Sequence, residues 1–143
     1  MFKKILLSLV ILIFITALTS FTGKQNTNQD DKSPRIVFSE EKHDFGKVPQ
    51  GPQLIYNFRF KNKGSGTLTI GEIATSCGCT GANVGEQKDY EKNETGQIQV
   101  TFNTQGREGH QEKTILVKSN DPANPTKALQ IMCDIDPGMD SGN

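Results

Sequence analysis

Cys77 and Cys79 are the residues of this sequence whose type and spacing are best suited to chemistry. Side chains two positions apart in an extended segment point to the same side, so both sulfurs would project together. Gly78 between them lets the backbone bend. The pair could bind a soft or borderline metal such as Cu(I) or Zn(II), it could cycle between dithiol and disulfide, or it could attach to a partner.

A structural role for the pair is the alternative, in which the motif shapes a tight loop after a predicted strand at residues 68–74. The loop would then hold a local disulfide or two sheltered thiols. A closed zinc site takes more ligands than the pair supplies, and the other nitrogen or sulfur candidates are His43, His110 and Cys133. The redox interpretation lacks the β-α-β setting in which a helix N-terminus lowers a thiol pKa. The sequence leaves all of these interpretations open.

Cys133 shares one face of a predicted strand with three aliphatic residues, which favours a buried, small hydrophobic residue. A disulfide to Cys77 or Cys79 is the alternative, because an exported protein meets oxidising conditions. Any such pairing leaves one odd thiol. His43 and Asp44 are weaker candidates. His43 could be a ligand or a strand-end group, and Asp44 could accept hydrogen bonds at a turn.

No signature of an enzyme is present in the sequence. It contains no phosphate-binding glycine loop followed by a helix, no His-Glu-x-x-His pattern and no nucleophile elbow. Sixteen Lys and Arg residues balance sixteen Asp and Glu residues, so the formal net charge is zero. This balance excludes nucleic-acid binding through a strongly basic surface. We therefore expect a protein that is not an enzyme.

The first 22 residues have the pattern of an export signal. Two lysines precede an uncharged apolar stretch at residues 5–18, and small or hydroxyl-bearing residues follow it. The stretch is shorter than the roughly 20 residues of a membrane span. A signal peptide at 1–22 is therefore favoured over an uncleaved N-terminal anchor, and the rest of the chain is expected in the periplasm or at the cell surface. Residues 23–34 contain no large apolar side chain, which predicts a disordered linker.

Residues 35–136 are predicted to form an all-β domain, followed by a flexible tail at 137–143. Short segments alternate apolar and polar residues and end at turn-forming residues, and no window has a helical period. About seven such strands predict an immunoglobulin-like antiparallel β-sandwich. The expected core residues are Phe45, Tyr56, Phe58, Phe60, Ile98, Val100, Phe102, Ile115, Val117, Leu129 and Ile131.

Several motifs occur in an order that resembles a known family. They are His43 to Gly46, Phe58 to Asn62 with Gly64 and Gly66, Leu68 to Ile70, Ser76 to Thr80, Ile98 to Phe102, and Ser119 to Pro122. The segment from 36 to 135 resembles the bacterial domain-of-unknown-function 1573 family, which is similar to the immunoglobulin-like ASH, hydin and major-sperm-protein domains. The resemblance implies export and an immunoglobulin-like fold, and it implies no known reaction. The sequence departs from the family pattern at residues 90–96, where members usually carry a Pro-Gly-Glu-like turn.

We therefore predict a non-catalytic cell-envelope protein, an immunoglobulin-like binding or scaffolding module without a cofactor. Its partners would be other envelope proteins or surface material, bound through strand edges or end loops, and not nucleic acid. An uncleaved N-terminus would also anchor it to the membrane. The alternative is a periplasmic thiol protein that binds copper or zinc, or cycles a dithiol, at Cys77 and Cys79. The sequence does not indicate an oligomeric state.

Overall fold

The computed structural model describes residues 32–139. The predicted signal peptide, most of the predicted linker and the last four residues of the predicted tail lie outside the described residues. Within 32–139 there is no helix long and apolar enough to cross a membrane. The described strands are β1 (Ile36–Phe38), β2 (Lys42–Pro49), β3 (Gln53–Asn62), β4 (Leu68–Thr75), β5 (Thr80–Asn83), β6 (Asp89–Tyr90), β7 (Thr95–Asn103), β8 (Gly109–Ser119) and β9 (Thr126–Asp136).

The strands form two sheets, which confirms the predicted all-β, immunoglobulin-like sandwich. One sheet has the order β1-β3-β7-β5 and the other has the order β2-β9-β8-β4-β6. Two details differ from the prediction. The described part of the chain has nine strands, because β5 and β6 are too short to show an alternating pattern. In addition, β2 runs parallel to β9, because residues 39–41 carry the chain from the first sheet to the edge of the second.

The core lies between the inner faces of the two sheets, which are formed by alternate residues of each strand. Nine of the residues expected in the core are buried, from Phe58 to Ile131. Phe45 and Tyr56 are only partly buried against the core, because β2 forms the edge of its sheet and leaves their side open. Burial of each large apolar side chain contributes roughly 1.5–3 kcal/mol to folding, so this cluster is the main source of stability.

Asn62 is a buried polar residue that joins three parts of the chain. Its Oδ1 accepts hydrogen bonds from the backbone N–H groups of Arg35 (3.1 Å) and Gly64 (2.9 Å). Its Nδ2 donates to the carbonyl oxygens of Gly66 (2.8 Å) and Tyr90 (2.9 Å). One amide side chain thus satisfies four backbone groups and fixes the turn after β3 against both β1 and β6.

Asp121 has an equivalent role on the other side of β1. It is buried, and its Oδ2 accepts a hydrogen bond from the N–H of Ile36 (3.0 Å). Its Oδ1 accepts from the N–H groups of Ala123 (2.9 Å) and Asn124 (3.2 Å) in the turn between β8 and β9. The carboxylate therefore ties the first strand to a turn 85 residues later in the chain.

The turn at residues 64–66 requires glycine because the incoming chain passes directly over it. The Ser33 carbonyl oxygen accepts hydrogen bonds from the N–H groups of Ser65 (3.1 Å) and Gly66 (3.3 Å). A Cβ atom at Gly64 would overlap the Ser33 oxygen and would lie 2.6 Å from the Pro34 carbonyl carbon. The last residues of the predicted linker are thus packed against the domain.

Candidate functional site

The cysteine pair lies in the connection between β4 of one sheet and β5 of the other, a segment that we name the CGC crossover (residues 76–79). The crossover is a turn, in which the N–H of Thr80 donates to the carbonyl oxygen of Cys77 (3.2 Å). The N–H of Asn103 donates to the carbonyl oxygen of Cys79 (3.1 Å). Backbone hydrogen bonds thus hold the crossover in place at both cysteines.

Cys77 and Cys79 are joined by a disulfide, with their Cα atoms 5.3 Å apart. The sulfurs meet because the chain turns, as in the tight-loop alternative, and not because the segment is extended. Both cysteines are half-buried and Gly78 is exposed. The Thr80 Oγ1 lies 3.4 Å from Cys77 Sγ and 3.9 Å from Cys79 Sγ. A hydroxyl group therefore lies within hydrogen-bonding reach of both sulfurs.

This disulfide closes a very short loop, because its cysteines are two positions apart. The chain-entropy model gives such a loop only about 1–2 kcal/mol of stabilisation, against about 3 kcal/mol for a loop of 15 residues. The bond also connects two residues of the same turn, and it joins no separate elements of the fold. Its contribution to folding is therefore small.

An open depression of about 490 Å³ lies beside the crossover, and we name it the Cys79 depression. Its lining residues are Gln53, Gly78, Cys79, Thr80, Gly81, Thr101, Asn103 and Arg107. The lining includes one cationic side chain and no carboxylate. The Arg107 guanidinium donates to the Gln105 carbonyl oxygen (2.9 Å) and lies 5.9 Å from the centre of the Phe102 ring. The depression therefore brings a held positive charge to the same cavity as Cys79.

Cys133 is buried in β9 with a free thiol, so the structure contains no disulfide from Cys133 to the crossover. Burial raises the pKa of this thiol, and the carboxylate of Asp134 raises it further. Cys133 is therefore a protonated, enclosed thiol at neutral pH, and it takes no part in the site.

His43 and Asp44 lie on β2, the edge strand of the second sheet. The His43 ring stacks on Tyr56, with ring centres 3.5 Å apart, and meets the Phe45 ring edge-on at 4.6 Å. Asp44 Oδ1 accepts a hydrogen bond from the N–H of Gly46 (2.8 Å). His43 is thus engaged in ring contacts, and Asp44 in a local turn. Within residues 32–139, no group of three His, Cys, Asp or Glu side chains is placed to hold a metal ion.

One further candidate is the unpaired part of strand β3, which the sequence reasoning did not identify. β1 pairs only with the end of β3, from Phe60 to Asn62. Lys63 N–H donates to the Arg35 carbonyl oxygen (2.8 Å), and the Arg59 carbonyl oxygen accepts from Ser39 N–H (2.9 Å). Beyond Arg59, no strand of the described part of the chain covers this side of β3. We name the uncovered stretch, residues 53–58, the β3 edge.

Alternation determines which backbone groups point outward at the β3 edge. In an antiparallel strand, successive residues direct their N–H and C=O groups to opposite sides. Since Arg59 and Lys63 bond toward the β1 side, Ile55 and Asn57 also present their peptide groups there. Ile55 is 54% exposed. An open groove of about 440 Å³ lines the edge, formed by Ser39, Glu40, Ile55, Tyr56, Asn57 and Arg59. One feature of the sequence could have indicated this edge: Ile55 is an apolar residue on the otherwise polar face of β3.

Comparisons with solved structures place the fold among known sandwiches. A protein of unknown function from Porphyromonas gingivalis W83 matches with a TM-score of 0.65 at 14% identity, over 78% of this chain and 51% of that one. An ASH/PapD-like domain of human CEP192 matches with a TM-score of 0.58 at 12% identity, over 85% and 97%. The secreted serine protease VesC from Vibrio cholerae matches with a TM-score of 0.56 at 14% identity, over 74% and 24%. At these identities the likeness concerns the fold alone.

The chain spans about half the length of the Porphyromonas gingivalis protein that it matches. No curated protein matches it by sequence. The model of the family described as "Protein of unknown function (DUF1573)" matches residues 36–135, which include every strand except the last residue of β9. The match confirms the resemblance found in the sequence motifs, and the chain therefore belongs to the DUF1573 family.

Proposed function

We propose that this protein is a non-catalytic module of the cell envelope that binds an extended segment of another envelope protein by strand addition. The observation that carries the proposal is the β3 edge, with Ile55 at its centre and, among the described residues, no strand paired on its β1 side. A bound segment would continue the line of β1 and pair with residues 53–58. Main-chain hydrogen bonds would supply affinity, and side-chain contacts would supply specificity.

The composition of the β3 edge supports binding. Natural proteins protect exposed edges with lysine, proline, bulges or very short strands. Among the strands at the ends of the two sheets, β1, β5 and β6 are short, and β2 contains a register shift between Asp44 and Lys47. The β3 edge has no lysine, proline or shift from Gln53 to Phe58. The β3 edge therefore lacks these forms of protection and is suited to accept a strand.

The side chains along the groove indicate what kind of segment would fit. Ile55 offers an exposed apolar contact on the outer face, so an apolar residue opposite it would be favoured. Arg59 lies at the end of the groove, where an acidic residue would be favoured. Glu40 accepts a hydrogen bond from the Tyr56 hydroxyl and so is already engaged. The proposed partner segment is extended, with an apolar residue followed or preceded by an acidic one.

Export of the module is supported by two features. The first 22 residues have the charge and apolar pattern of a signal peptide, and the Cys77–Cys79 disulfide is stable in an oxidising compartment such as the periplasm or the cell surface. Fusing these residues to alkaline phosphatase, which is active only after oxidation outside the cytoplasm, tests the location. An inactive fusion that accumulates in the cytoplasm would contradict it.

Strand addition is tested with displayed random peptides of about nine residues, long enough to cover the edge with flanks. Selected peptides should protect the Ile55 and Asn57 amides from hydrogen exchange. Ile55→Pro removes an outward N–H that the fold does not use, and proline is tolerated at such edge positions. This variant should stay folded and should weaken peptide binding by about tenfold or more.

Two matched variants serve as controls for this test. Ile55→Val keeps the N–H group and the apolar contact, so it should bind nearly as well as the unmodified chain. Val37→Thr changes another exposed apolar residue of the same sheet, on β1, and should bind normally. Equal binding by Ile55→Pro, or amide protection confined to residues outside 53–58, would rule out the β3 edge as the binding site.

A further inference from the structure

We propose that the Cys77–Cys79 disulfide exchanges with a dithiol of another protein, independently of strand binding at the β3 edge. The reaction begins when a partner thiolate enters the Cys79 depression and attacks Cys79 Sγ. A mixed disulfide forms between the partner and Cys79, and the bond between the two crossover sulfurs breaks. The electron pair of that bond leaves on Cys77 Sγ as a thiolate.

The position of the depression favours attack at Cys79. Cys79 packs partly against the core and also lines the open depression beside the exposed Gly78, whereas Cys77 is absent from that lining. Arg107 supplies the only positive charge among the lining residues, and no carboxylate lines the depression to repel an anion. A thiolate that enters the depression therefore meets a favourable field beside Cys79.

Thr80 is placed to help the leaving group. Its Oγ1 lies 3.4 Å from Cys77 Sγ, within the range of a hydrogen bond to sulfur. A hydroxyl that donates to the developing thiolate stabilises it, and a more stable leaving thiolate departs faster. The same hydroxyl lies 3.9 Å from Cys79 Sγ, so it also faces the sulfur under attack.

The second step completes a balanced two-electron exchange. The partner's second thiolate attacks the partner sulfur of the mixed disulfide, and Cys79 leaves as a thiolate. The partner becomes a disulfide, and Cys77 and Cys79 become a dithiol after taking up the two protons that the partner thiols lost. The reductant is thus a protein dithiol, and no metal or other cofactor is required.

The surrounding backbone allows the crossover to survive reduction. The carbonyl oxygen of Cys77 accepts hydrogen bonds from Thr80 N–H (3.2 Å) and Thr75 Oγ1 (3.2 Å). The carbonyl oxygen of Cys79 accepts from Asn103 N–H (3.1 Å). None of these bonds involves sulfur, so the two thiols should stay adjacent and able to reoxidise. A disulfide used only to hold the loop would not need this second set of restraints.

The test reduces the folded, oxidised full chain with dithiothreitol or with reduced thioredoxin, and counts thiols by maleimide labelling and mass. The native oxidised chain should label at no cysteine, the reduced native chain at Cys77 and Cys79, and the reduced unfolded chain also at the buried Cys133. Circular dichroism during reduction shows whether the fold is retained. A native chain that resists both reductants until it unfolds would overturn the proposal.

Variants at Thr80 and at the cysteines separate exchange from structure. Thr80→Val keeps the side-chain shape and should slow reduction by about tenfold, whereas Thr80→Ser should react at nearly the original rate. With oxidised glutathione, the remaining crossover thiol of Cys77→Ser should form a mixed disulfide faster than that of Cys79→Ser, while Cys133 stays buried in both. Equal reduction rates for Thr80→Val and Thr80→Ser, with both variants folded, would contradict the assigned role of the hydroxyl. Faster reaction of Cys79→Ser would contradict attack at Cys79.

Discussion

Replacing Asn62 by alanine should be among the most damaging single changes to this fold. The side chain is 0% exposed and makes four hydrogen bonds to backbone groups, between 2.8 and 3.1 Å long. Each bond contributes about 0.5–1.5 kcal/mol net, and a buried group left without a partner costs more. Three of the four bonds are only partly buried, so water can replace some of them. We expect Asn62→Ala to lower the free energy of unfolding by about 3 kcal/mol.

Urea unfolding of the full chain, followed by circular dichroism, measures this loss. For a domain of about 100 residues the corresponding fall in melting temperature is roughly 12 °C. Asn57→Ala provides the matched control, because Asn57 lies on the same strand with an exposed side chain, and should cost about 0.5 kcal/mol or less. If Asn62→Ala costs no more than Asn57→Ala, the amide does not fasten β1 and β6 to the turn and the reasoning is wrong.

Three further changes test other parts of the packing by urea unfolding. Gly96→Ala should cost about 1–3 kcal/mol, because its Cβ atom would lie 2.5 Å from the Phe60 ring and 2.6 Å from the Tyr90 ring. Burial raises the pKa of Tyr90 in the folded chain. The stability that the protonated Tyr90 contributes is therefore present below the unfolded pKa of about 10 and is lost as the pH rises through the folded pKa. Tyr90→Phe should make that alkaline loss smaller. Thr104→Val should cost about 1–2 kcal/mol, because the Thr104 hydroxyl donates to the Pro52 carbonyl oxygen (2.7 Å), and Thr104→Ser should restore most of it.

The sequence predicted the parts of the fold that depend on local alternation. Phe58 and Phe60 alternate with Asn57 and Arg59, and the structure buries the first pair and exposes the second. β6 has only two residues, Asp89–Tyr90, and a segment of that length has no period to read. Its position depends on pairing with Leu68 and Thr69 of β4, which no local pattern specifies.

The roles of the polar motif residues could not be predicted for a related reason. Asp121 belongs to a motif that carried the family resemblance, but its main partner, Ile36, lies 85 residues away in sequence. The sequence did not indicate the β3 edge, because this side of β3 is uncovered only where β1 has ended, after Phe38. The exposure of Ile55 was implied by its place on the polar face of β3, but the lack of a paired strand on the β1 side was not.

The residues that carried the resemblance can now be divided by what the fold requires of them. Asn62 and Asp121 fasten β1, and Gly64 admits the incoming chain, so folding alone accounts for these three. The needs of folding do not explain why the CGC crossover carries two cysteines. Their disulfide closes a short loop that backbone hydrogen bonds already hold.

Ile55 lies outside all of those motifs. Strand binding at the β3 edge would therefore be a property of this chain, whereas exchange at the crossover would belong to the motif that defines the family resemblance. The two functions should then be separable. Ile55→Pro should leave the rate of disulfide reduction unchanged, and Thr80→Val should leave peptide binding unchanged. If either variant altered both measurements, the strand edge and the disulfide would be parts of one site, and the division argued above would fail.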